Sequence, residues 1–364
     1  MKLIISILLS IGGVMLATTV CKSANNPSDV NATEQLTHHK AKGGYINTSP
    51  TFNDDTAILP LLKRYITETR VDATPNNSIP VIAVTAEQLS QLPKNQDSVI
   101  RLGHSSIFLQ VNGQRWLIDP VFSERASPFS FAGPKRFHQP PIALADLPEI
   151  DGVIISHDHY DHLDKASIKQ LATSVSHFVV PLGVDKHLKD WGVISEHIHP
   201  LDWWQTFKLA NVTITATPTQ HFSGRGLFDK NETLWASYVI KSNSSSLYFS
   251  GDSGYFDGFK QIGERFGPFD LTMVETGAYD KDWATIHMTP AQSLQAHIDL
   301  QGKKMMPIHN GTFDLAFHSW YDPLNQIAQL ASAANVEIVT PKMGELIAVN
   351  EIHETTHWWA AISN

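Results

Sequence analysis

A short apolar run is followed directly by a histidine-rich segment, Ile155-Ser156-His157-Asp158-His159-Tyr160-Asp161-His162. Its histidines at 157, 159 and 162 and the carboxylate of Asp161 are ligand types that zinc and other first-row metals bind in proteins. In a loop that follows a strand, alternate side chains point the same way, so His157 and His159 face one position. Asp161 and His162 turn back towards a second position. One ion would not use all four side chains, so the spacing predicts two metal ions.

Three further candidate ligands follow predicted strands later in the chain: His221 after Val212–Thr217, Asp252 after Leu247–Ser250, and His309 after Met305–Ile308. Each could by itself be a capping or buried polar residue, and the histidine-rich segment could be a solvated turn. Together they form a set of five histidines and two aspartates at the carboxyl ends of strands, where ligands gather in α/β folds. The combination favours a metal site.

The composition excludes several classes of protein. The chain has 364 residues, with 27 Lys and Arg against 36 Asp and Glu, which gives a formal net charge of −9. Such an acidic chain offers no basic face for a nucleic acid, so no nucleic-acid partner is expected. A single cysteine excludes a disulfide scaffold and a multi-cysteine metal site. The 18 histidines are the unusual feature.

The order of residues along the chain indicates four regions. An apolar run after Lys2 predicts a signal peptide or a membrane or lipid anchor over residues 1–24, with Cys21 as a candidate lipidation site. We therefore expect an exported protein of the periplasm or cell envelope. Residues 25–97 are expected to be a polar tether and N-terminal extension in which His38 and His39 are solvated. Residues 98–350 would form the folded domain, and residues 351–364 a C-terminal tail.

Local patterns within the domain predict an α/β fold, with two strands first and then alternating strands and helices. Asn112-Gly113 between two apolar runs predicts a tight hairpin. Asp164 is a candidate cap for one helix, and Thr289-Pro290 is a typical start of another. A late His353-Glu354-Thr355-Thr356-His357 segment matches a zinc-protease helix motif, but paired Thr residues disfavour a helix there, so we interpret it as coincidental.

The ordered set His157-x-His159-x-Asp161-His162, His221, Asp252 and His309 resembles the metallo-β-lactamase superfamily of binuclear hydrolases. The resemblance covers about residues 98–349 and implies an αβ/βα sandwich, in which two packed mixed sheets carry helices outside. It implies two Zn²⁺ ions, although another divalent first-row metal is possible. One ion would be held by His157, His159 and His221, the other by Asp161, His162 and His309, and Asp252 would bridge them.

Further roles are expected for three more side chains, and a second role for Asp161. Asp119, at the end of the second strand of the hairpin, would support the ligand loop from outside the ligand set. His104 could contact Asp119 or the ligand loop, and a purely structural role is equally open. Asp161 could also orient the proton of the attacking water. His287 would contact the phosphate or the leaving group, with the alternative that it is only a polar residue before a helix.

A narrower resemblance rests on further motifs: Gly103-His104-Ser105-Ser106, Asp119-Pro120-Val121-Phe122-Ser123, Gln220-His221-Phe222-Ser223, Gly251-Asp252-Ser253-Gly254 and Ile308-His309-Asn310-Gly311-Thr312-Phe313. They are similar to the branch that contains the N-acylphosphatidylethanolamine-hydrolysing phospholipase D. This implies a phosphodiesterase that acts on (N-acyl) glycerophospholipids at a membrane surface. Two alternatives stay open: a lactone or carboxyl-ester hydrolase with the same metals, and a non-catalytic metal-binding or scaffold protein of the envelope.

One loop bears on the substrate. Residues 122–137 carry four phenylalanines among Ser, Pro and Gly. Such a loop could form a groove for acyl chains or dip into a bilayer, or it could be a small core beneath the loop. The residues leave oligomeric state open.

Overall fold

The structure is a computed structural model that describes residues 38–40, 43–50, 52, 58–353 and 356–362. The predicted export segment, residues 1–24, lies outside these ranges. Within them, no helix combines the length and the apolar character needed to cross a membrane.

The strands of the described chain form two mixed sheets of seven strands each. The first sheet, in the order β14-β1-β2-β3-β4-β5-β6, consists of β1 (Ser98–Gly103), β2 (Ser106–Val111), β3 (Gln114–Ile118), β4 (Gly152–Ile154), β5 (His177–Pro181), β6 (Ile198–Leu201) and β14 (Leu346–Ala348). The second, in the order β13-β12-β11-β10-β9-β8-β7, consists of β7 (Thr206–Leu209), β8 (Val212–Thr217), β9 (Ser237–Lys241), β10 (Ser246–Phe249), β11 (Leu271–Glu275), β12 (Lys304–Ile308) and β13 (Glu337–Ile338).

The described residues also form seven α-helices: α1 (Ile58–Thr67), α2 (Ala86–Ser90), α3 (Lys165–Leu171), α4 (Val184–Asp190), α5 (Gly258–Phe266), α6 (Pro290–Asp299) and α7 (Asp322–Ala334). Helices cover the outer faces of both sheets. α3 and α4 pack on the first sheet through Ile168 and Leu188. α5, α6 and α7 pack on the second sheet through Phe259, Leu294 and Leu324.

The inner faces of the two sheets share one apolar core. Trp116 and Ile154 of the first sheet are fully buried in the same cluster as Ile214, Phe249 and Met306 of the second. Burial of these large side chains is the main force that holds the sheets face to face. The predicted αβ/βα sandwich is therefore confirmed.

Several local predictions are also confirmed. Asn112 and Gly113 have φ values of 50° and 75° and connect β2 to β3, as a type I′ turn requires. The Asp164 side chain accepts a hydrogen bond from the Ala166 amide at the start of α3. Thr289 caps α6 in a reciprocal capping box with Gln292.

One expectation for the N-terminal extension is wrong. His38 is buried, not solvated, and its Nε2 lies 2.6 Å from Oδ1 of Asp202. His39 is half-buried, and its Nε2 lies 2.7 Å from Oδ2 of the same carboxylate. The polar composition of this segment predicted a tether. The contact with Asp202 could not be predicted, because it joins residues 164 positions apart in sequence. Residues 38–50, where described, lie against the body of the fold.

Candidate metal centre

The carboxyl ends of four strands converge at one edge of the sandwich. β4 of the first sheet runs into the ligand loop, residues 156–162. In the second sheet, β8, β10 and β12 end a few residues before His221, Asp252 and His309. Since strand ends fix the backbone from which these side chains project, both sheets contribute to one buried site.

The first group of candidate ligands contains His157, His159, His221 and Asp252. His157 Nε2 lies 2.9 Å from His159 Nδ1, which lies 3.2 Å from His221 Nε2. Oδ2 of Asp252 lies 3.8 Å from the Nε2 atoms of both His157 and His221. Three imidazole nitrogens and one carboxylate oxygen therefore face a single position.

The second group contains His104, Asp161, His162 and His309. Oδ2 of Asp161 lies 3.6 Å from His162 Nε2 and 3.3 Å from His309 Nε2. Asp252 also reaches this group, with Oδ1 3.1 Å from His162 Nε2 and Oδ2 3.0 Å from His309 Nε2. Its carboxylate therefore lies between the two groups, where it can contact an ion in each.

Unpartnered polar atoms show that these residues fit metal ions. His162 Nε2, His309 Nε2 and Asp252 Oδ1 are buried, and although the histidine nitrogens lie 3.1 and 3.0 Å from Asp252 oxygens, none of the three atoms makes a hydrogen bond of good geometry. A buried polar atom with no partner costs about 1–3 kcal/mol, so a cluster of them needs compensation. Nitrogen and carboxylate ligands that face one another at short distance are satisfied by a divalent cation.

Asp119 supports the ligand loop from the end of β3. Its Oδ1 accepts from the Ser156 amide at 2.7 Å, and its Oδ2 accepts from the Ser156 hydroxyl at 2.6 Å. The same Oδ2 lies 2.7 Å from His162 Nδ1. A carboxylate on Nδ1 fixes the imidazole tautomer and directs the Nε2 lone pair towards a metal.

His104 contacts the ligand loop through Asp161, not Asp119. Its Nε2 lies 3.0 Å from Asp161 Oδ2, and its ring packs against His309 with 4.0 Å between centroids. Burial lowers the pKa of His104 to about 3, so the ring is neutral at pH 7. It can hold Asp161 in place by donating a hydrogen bond.

The electrostatics of the cluster suit a cation. Burial lowers the pKa of His157 and His221 well below the usual value, which keeps both imidazoles neutral. Burial alone would raise the pKa of Asp252, but His162 and His309 hold it well below its usual range. Neutral His157 and His221 and an ionised Asp252 are in the protonation states that bind metals. Burial lowers the pKa of His162 and His309, but Asp252 and Asp161 outweigh it and raise both, so these two imidazoles must release a proton when a cation binds.

His287 lies beside both groups, at ring-centroid distances of 5.1 Å from His221 and 5.3 Å from His309. Its Nδ1 is hydrogen-bonded to the buried carboxylate of Glu275, which also accepts from the Ser253 amide. Glu275 was not predicted from the sequence. Its position at the end of β11, between the strands that carry Asp252 and His309, is the signal that could have found it.

A second missed residue comes from the N-terminal extension. The Asn47 side chain donates through Nδ2 to the His221 backbone carbonyl at 2.7 Å, and its Oδ1 accepts from the His221 backbone amide at 3.0 Å. This pair of hydrogen bonds holds the backbone of a candidate metal ligand. Because Asn47 is 174 residues from His221, no local pattern could have indicated the contact.

The late histidine motif does not join the site. His353 contacts the Ala348 carbonyl through Nε2 at 2.8 Å, and His357 stacks on Trp359. Glu354 lies outside the described residues. Among the residues that are described, neither histidine belongs to a cluster that could hold a metal.

A cleft of about 620 Å³ opens beside the ligand loop. The Tyr160 ring, between two candidate ligands in sequence, lines it together with Trp191 and Phe129. Two acidic residues, Glu124 and Asp164, also line the cleft. They are outnumbered by four basic residues: Arg125, Lys165, Lys169 and Arg225. The cleft therefore combines aromatic surface with excess positive charge.

The phenylalanines of the 122–137 loop divide between core and surface. Phe122 packs against the core outside the first sheet, and Phe137 against the core outside the second. Phe129 is half-buried where it lines the cleft, and its ring centroid lies 5.5 Å from that of Phe131, which is 75% exposed. The interpretation as a core beneath the loop is confirmed for Phe122 and Phe137, and the interpretation as a groove for acyl chains or a bilayer contact stays a prediction.

Buried imidazoles and carboxylates at the strand ends of a two-sheet sandwich are typical of metal-dependent hydrolases. A family profile described as the β-lactamase superfamily domain matches residues 114–310, and the chain belongs to that superfamily. The chain is 43% identical over 261 residues to an uncharacterised protein of Mycobacterium tuberculosis, covering 71% of this chain and 70% of the relative.

The chain is also 35% identical over 263 residues to the N-acyl-phosphatidylethanolamine-hydrolyzing phospholipase D 1 of Caenorhabditis elegans, covering 67% of this chain and 74% of the relative. A solved isothiocyanate hydrolase from Delia radicum gut bacteria has a TM-score of 0.55 at 19% identity, covering 69% of this chain and 98% of that one. The structural match shows the shared fold. The protein is a metal-dependent hydrolase of the metallo-β-lactamase fold.

Proposed function

We propose that the protein is a binuclear zinc phosphodiesterase of the phospholipase D type, which acts on glycerophospholipids including N-acylated ones. The observation that carries this proposal is the Asp252 carboxylate between two ligand groups, in a site whose ligand loop also lines an aromatic and basic cleft through Tyr160. Similarity to the Caenorhabditis elegans phospholipase supports the substrate class.

Two zinc ions fit the ligand groups. His157, His159 and His221 would hold one ion, Asp161, His162 and His309 the other, and Asp252 would contact both. Two such ions supply a water of lowered pKa and neutralise charge that develops on phosphoryl oxygens. The buried, unpartnered Nε2 atoms of His162 and His309 support this assignment.

The protein's own groups position the substrate and move its protons. Glu275 binds His287 Nδ1, so the other ring nitrogen, Nε2, is available to the phosphate or to the leaving oxygen. His104 holds Asp161, whose carboxylate orients the proton of the attacking water. Both roles need the side chain to be held by a neighbour, and both neighbours are buried.

The cleft and the outward phenylalanines suit a lipid at a surface. Arg225 lies 4.0 Å above the Tyr160 ring and donates to two backbone carbonyls, so its charge is held beside the ligand loop. Such fixed cations attract anionic headgroups. Two exposed aromatic side chains, Phe131 and Phe228, would contact acyl chains; Phe228 is 93% exposed. We propose an exported enzyme that works at the envelope membrane.

The experiment follows the oxygen atom. Zinc-loaded protein is incubated with N-acyl phosphatidylethanolamine vesicles in ¹⁸O-water. Attack at phosphorus forms the new P–O bond with solvent oxygen and breaks the bond to the N-acylethanolamine. We therefore expect ¹⁸O in phosphatidic acid alone.

Asp252→Ala, which removes the shared carboxylate, should abolish the labelled product. Asp257→Ala, an exposed aspartate five residues later, is the matched control and should retain it. Label in a free fatty acid, or turnover of lactones without phospholipid, would replace the proposal with a carboxyl-ester or lactone hydrolase. Metal binding without turnover of either class would indicate a non-catalytic protein.

A further inference from the structure

A second cluster of metal-ligating side chains shares no residue with the candidate metal centre. Asp202 directly follows β6 at the end of the first sheet, and His38 and His39 come from the N-terminal extension. His38 and Asp202 are each only 5% and His39 about one-third exposed. The three potential ligand atoms all lie within 4.8 Å of one another.

Both imidazoles direct the same nitrogen at the carboxylate. His38 Nε2 lies 2.6 Å from Asp202 Oδ1, and His39 Nε2 lies 2.7 Å from Asp202 Oδ2. Two Nε2 atoms and a carboxylate that converge in this way can serve as three ligands of a tetrahedral site with one open position.

The ring geometry matches that of the candidate metal centre. The His38 and His39 rings have centroids 4.6 Å apart and an interplanar angle of 69°. In the first ligand group, the His157 and His159 rings are 4.5 Å apart at 79°, and the His157 and His221 rings are 4.9 Å apart at 80°. The two sites therefore present pairs of imidazoles in the same edge-to-face arrangement.

The surroundings hold these side chains in position. The Trp203 amide donates to Asp202 Oδ1 at 2.8 Å, and the His38 ring stacks on the Trp203 indole with 4.2 Å between centroids. Asp202's own amide donates to Gln205 Oε1 at 3.0 Å. Support of this kind fixes ligand orientation in metal sites.

We infer that His38, His39 and Asp202 form an additional binding site for a divalent first-row cation of the zinc class. The ion fastens residues 38–50 to the body of the fold. Further along the same segment, the Tyr45 backbone amide donates to the Asn231 carbonyl at 2.9 Å. Two residues later, the Asn47 side chain donates to the backbone carbonyl of His221. The additional site thus anchors the segment that steadies a ligand of the main centre.

The first experiment counts zinc in the full chain after loading and dialysis against zinc-free buffer. Wild type should retain three ions per chain and His39→Ala two. His39 is chosen because it is the least buried of the three ligands. The matched control is His199→Ala, since His199 is also half-buried and contacts another imidazole, His177, but no carboxylate. This control should retain three ions.

The second experiment gives a positive signal. His39→Cys, loaded with Co²⁺, should show a thiolate-to-cobalt charge-transfer absorption that His199→Cys and wild type lack. Equal zinc content in wild type and His39→Ala, or no charge-transfer band in His39→Cys, would each overturn the inference, whatever number of ions the main centre holds. Because the site shares no ligand with the main centre, these results do not depend on phospholipase activity.

Discussion

At the scale of the residue, the candidate centre depends on side chains that hold the ligands as much as on the ligands. Asp119 orients His162, and Glu275 orients His287. Burial raises the pKa of the Glu275 carboxyl, although His287 opposes the shift. Such groups act through the residue they contact, so their replacement should affect one step and spare others.

Glu275→Gln tests this role. The amide keeps the size of the side chain but loses the charge that holds His287. We expect kcat to fall about 10–100-fold, in the range found when an orienting carboxylate is removed, with KM and zinc content close to wild type. Glu264→Gln, an exposed glutamate on α5, is the control. Loss of zinc in parallel with kcat would mean that Glu275 supports the ligands instead.

Asp119→Asn should instead weaken zinc binding. The amide cannot accept from both Ser156 and His162 as the carboxylate does, so His162 loses its fixed orientation. Zinc affinity should fall about 10–100-fold. Titration against a competing chelator measures this change. Wild-type affinity in the variant would show that the ligand loop holds His162 without Asp119.

At the scale of the element, side-chain caps helped to predict two of the helices. α3 and α6 have such caps, Asp164 and Thr289, and the start of each was predicted from them. α4, α5 and α7 begin after Gly183, Asp257 and Tyr321, none of which makes a side-chain capping bond. These helices are stabilised by packing on the sheets, which no local signal reports.

The N-terminal segment is the element whose role the structure changes most. Asn47→Ala removes both hydrogen bonds to the His221 backbone. We expect roughly tenfold weaker zinc binding at the main centre and faster amide exchange at His221. Asn77→Ala, an exposed position in the same extension, should change neither. Unchanged exchange at His221 in Asn47→Ala would show that the loop is rigid without the segment.

The described residues of the C-terminal tail contribute packing, and none of them belongs to a candidate metal cluster. Trp359 is 1% exposed and donates through Nε1 to Asn325 on α7 at 2.7 Å. Trp359→Ala should therefore lower the free energy of unfolding by about 3–5 kcal/mol, as measured by urea denaturation. His357→Ala should leave zinc content unchanged. Loss of zinc in the folded His357→Ala variant would restore the late histidine motif as a metal site.

At the scale of the whole molecule, the features that could be predicted from the sequence are those that depend on residues close together in the chain. The bounds of β8, and those of β12 to within one residue, follow from local patterns, and the β2–β3 hairpin from Asn112-Gly113. The seven candidate ligands could be identified because each follows such a strand. The contacts of Asp202 with His38 and of Asn47 with His221 join residues more than 160 positions apart. They depend on how the extension lies on the finished fold, which local patterns do not encode.

The stability of the whole fold should also fall in acid because of histidines buried outside the metal centre. His297 is buried beside Thr272, whose hydroxyl lies 2.7 Å from its Nδ1. Burial lowers the pKa of His297 to about 4, below the usual 6.5. Above pH 6.5 the ring is neutral in both folded and unfolded chains. Between pH 6.5 and 4 only the unfolded chain binds the proton, so acid favours unfolding.

His297→Gln tests this linkage, because the amide can still bond to Thr272 but does not titrate. At pH 5 the linked loss of stability in wild type amounts to about 2 kcal/mol. Between pH 7 and pH 5, the free energy of unfolding should therefore fall by about 2 kcal/mol less in His297→Gln than in wild type. Urea denaturation at both pH values measures the difference, and metal release contributes equally to both proteins. Exposed His357→Gln is the control. Equal pH dependence in wild type and His297→Gln would mean that the buried imidazole takes up its proton without unfolding, through a water or a local opening that relieves the cost of burial.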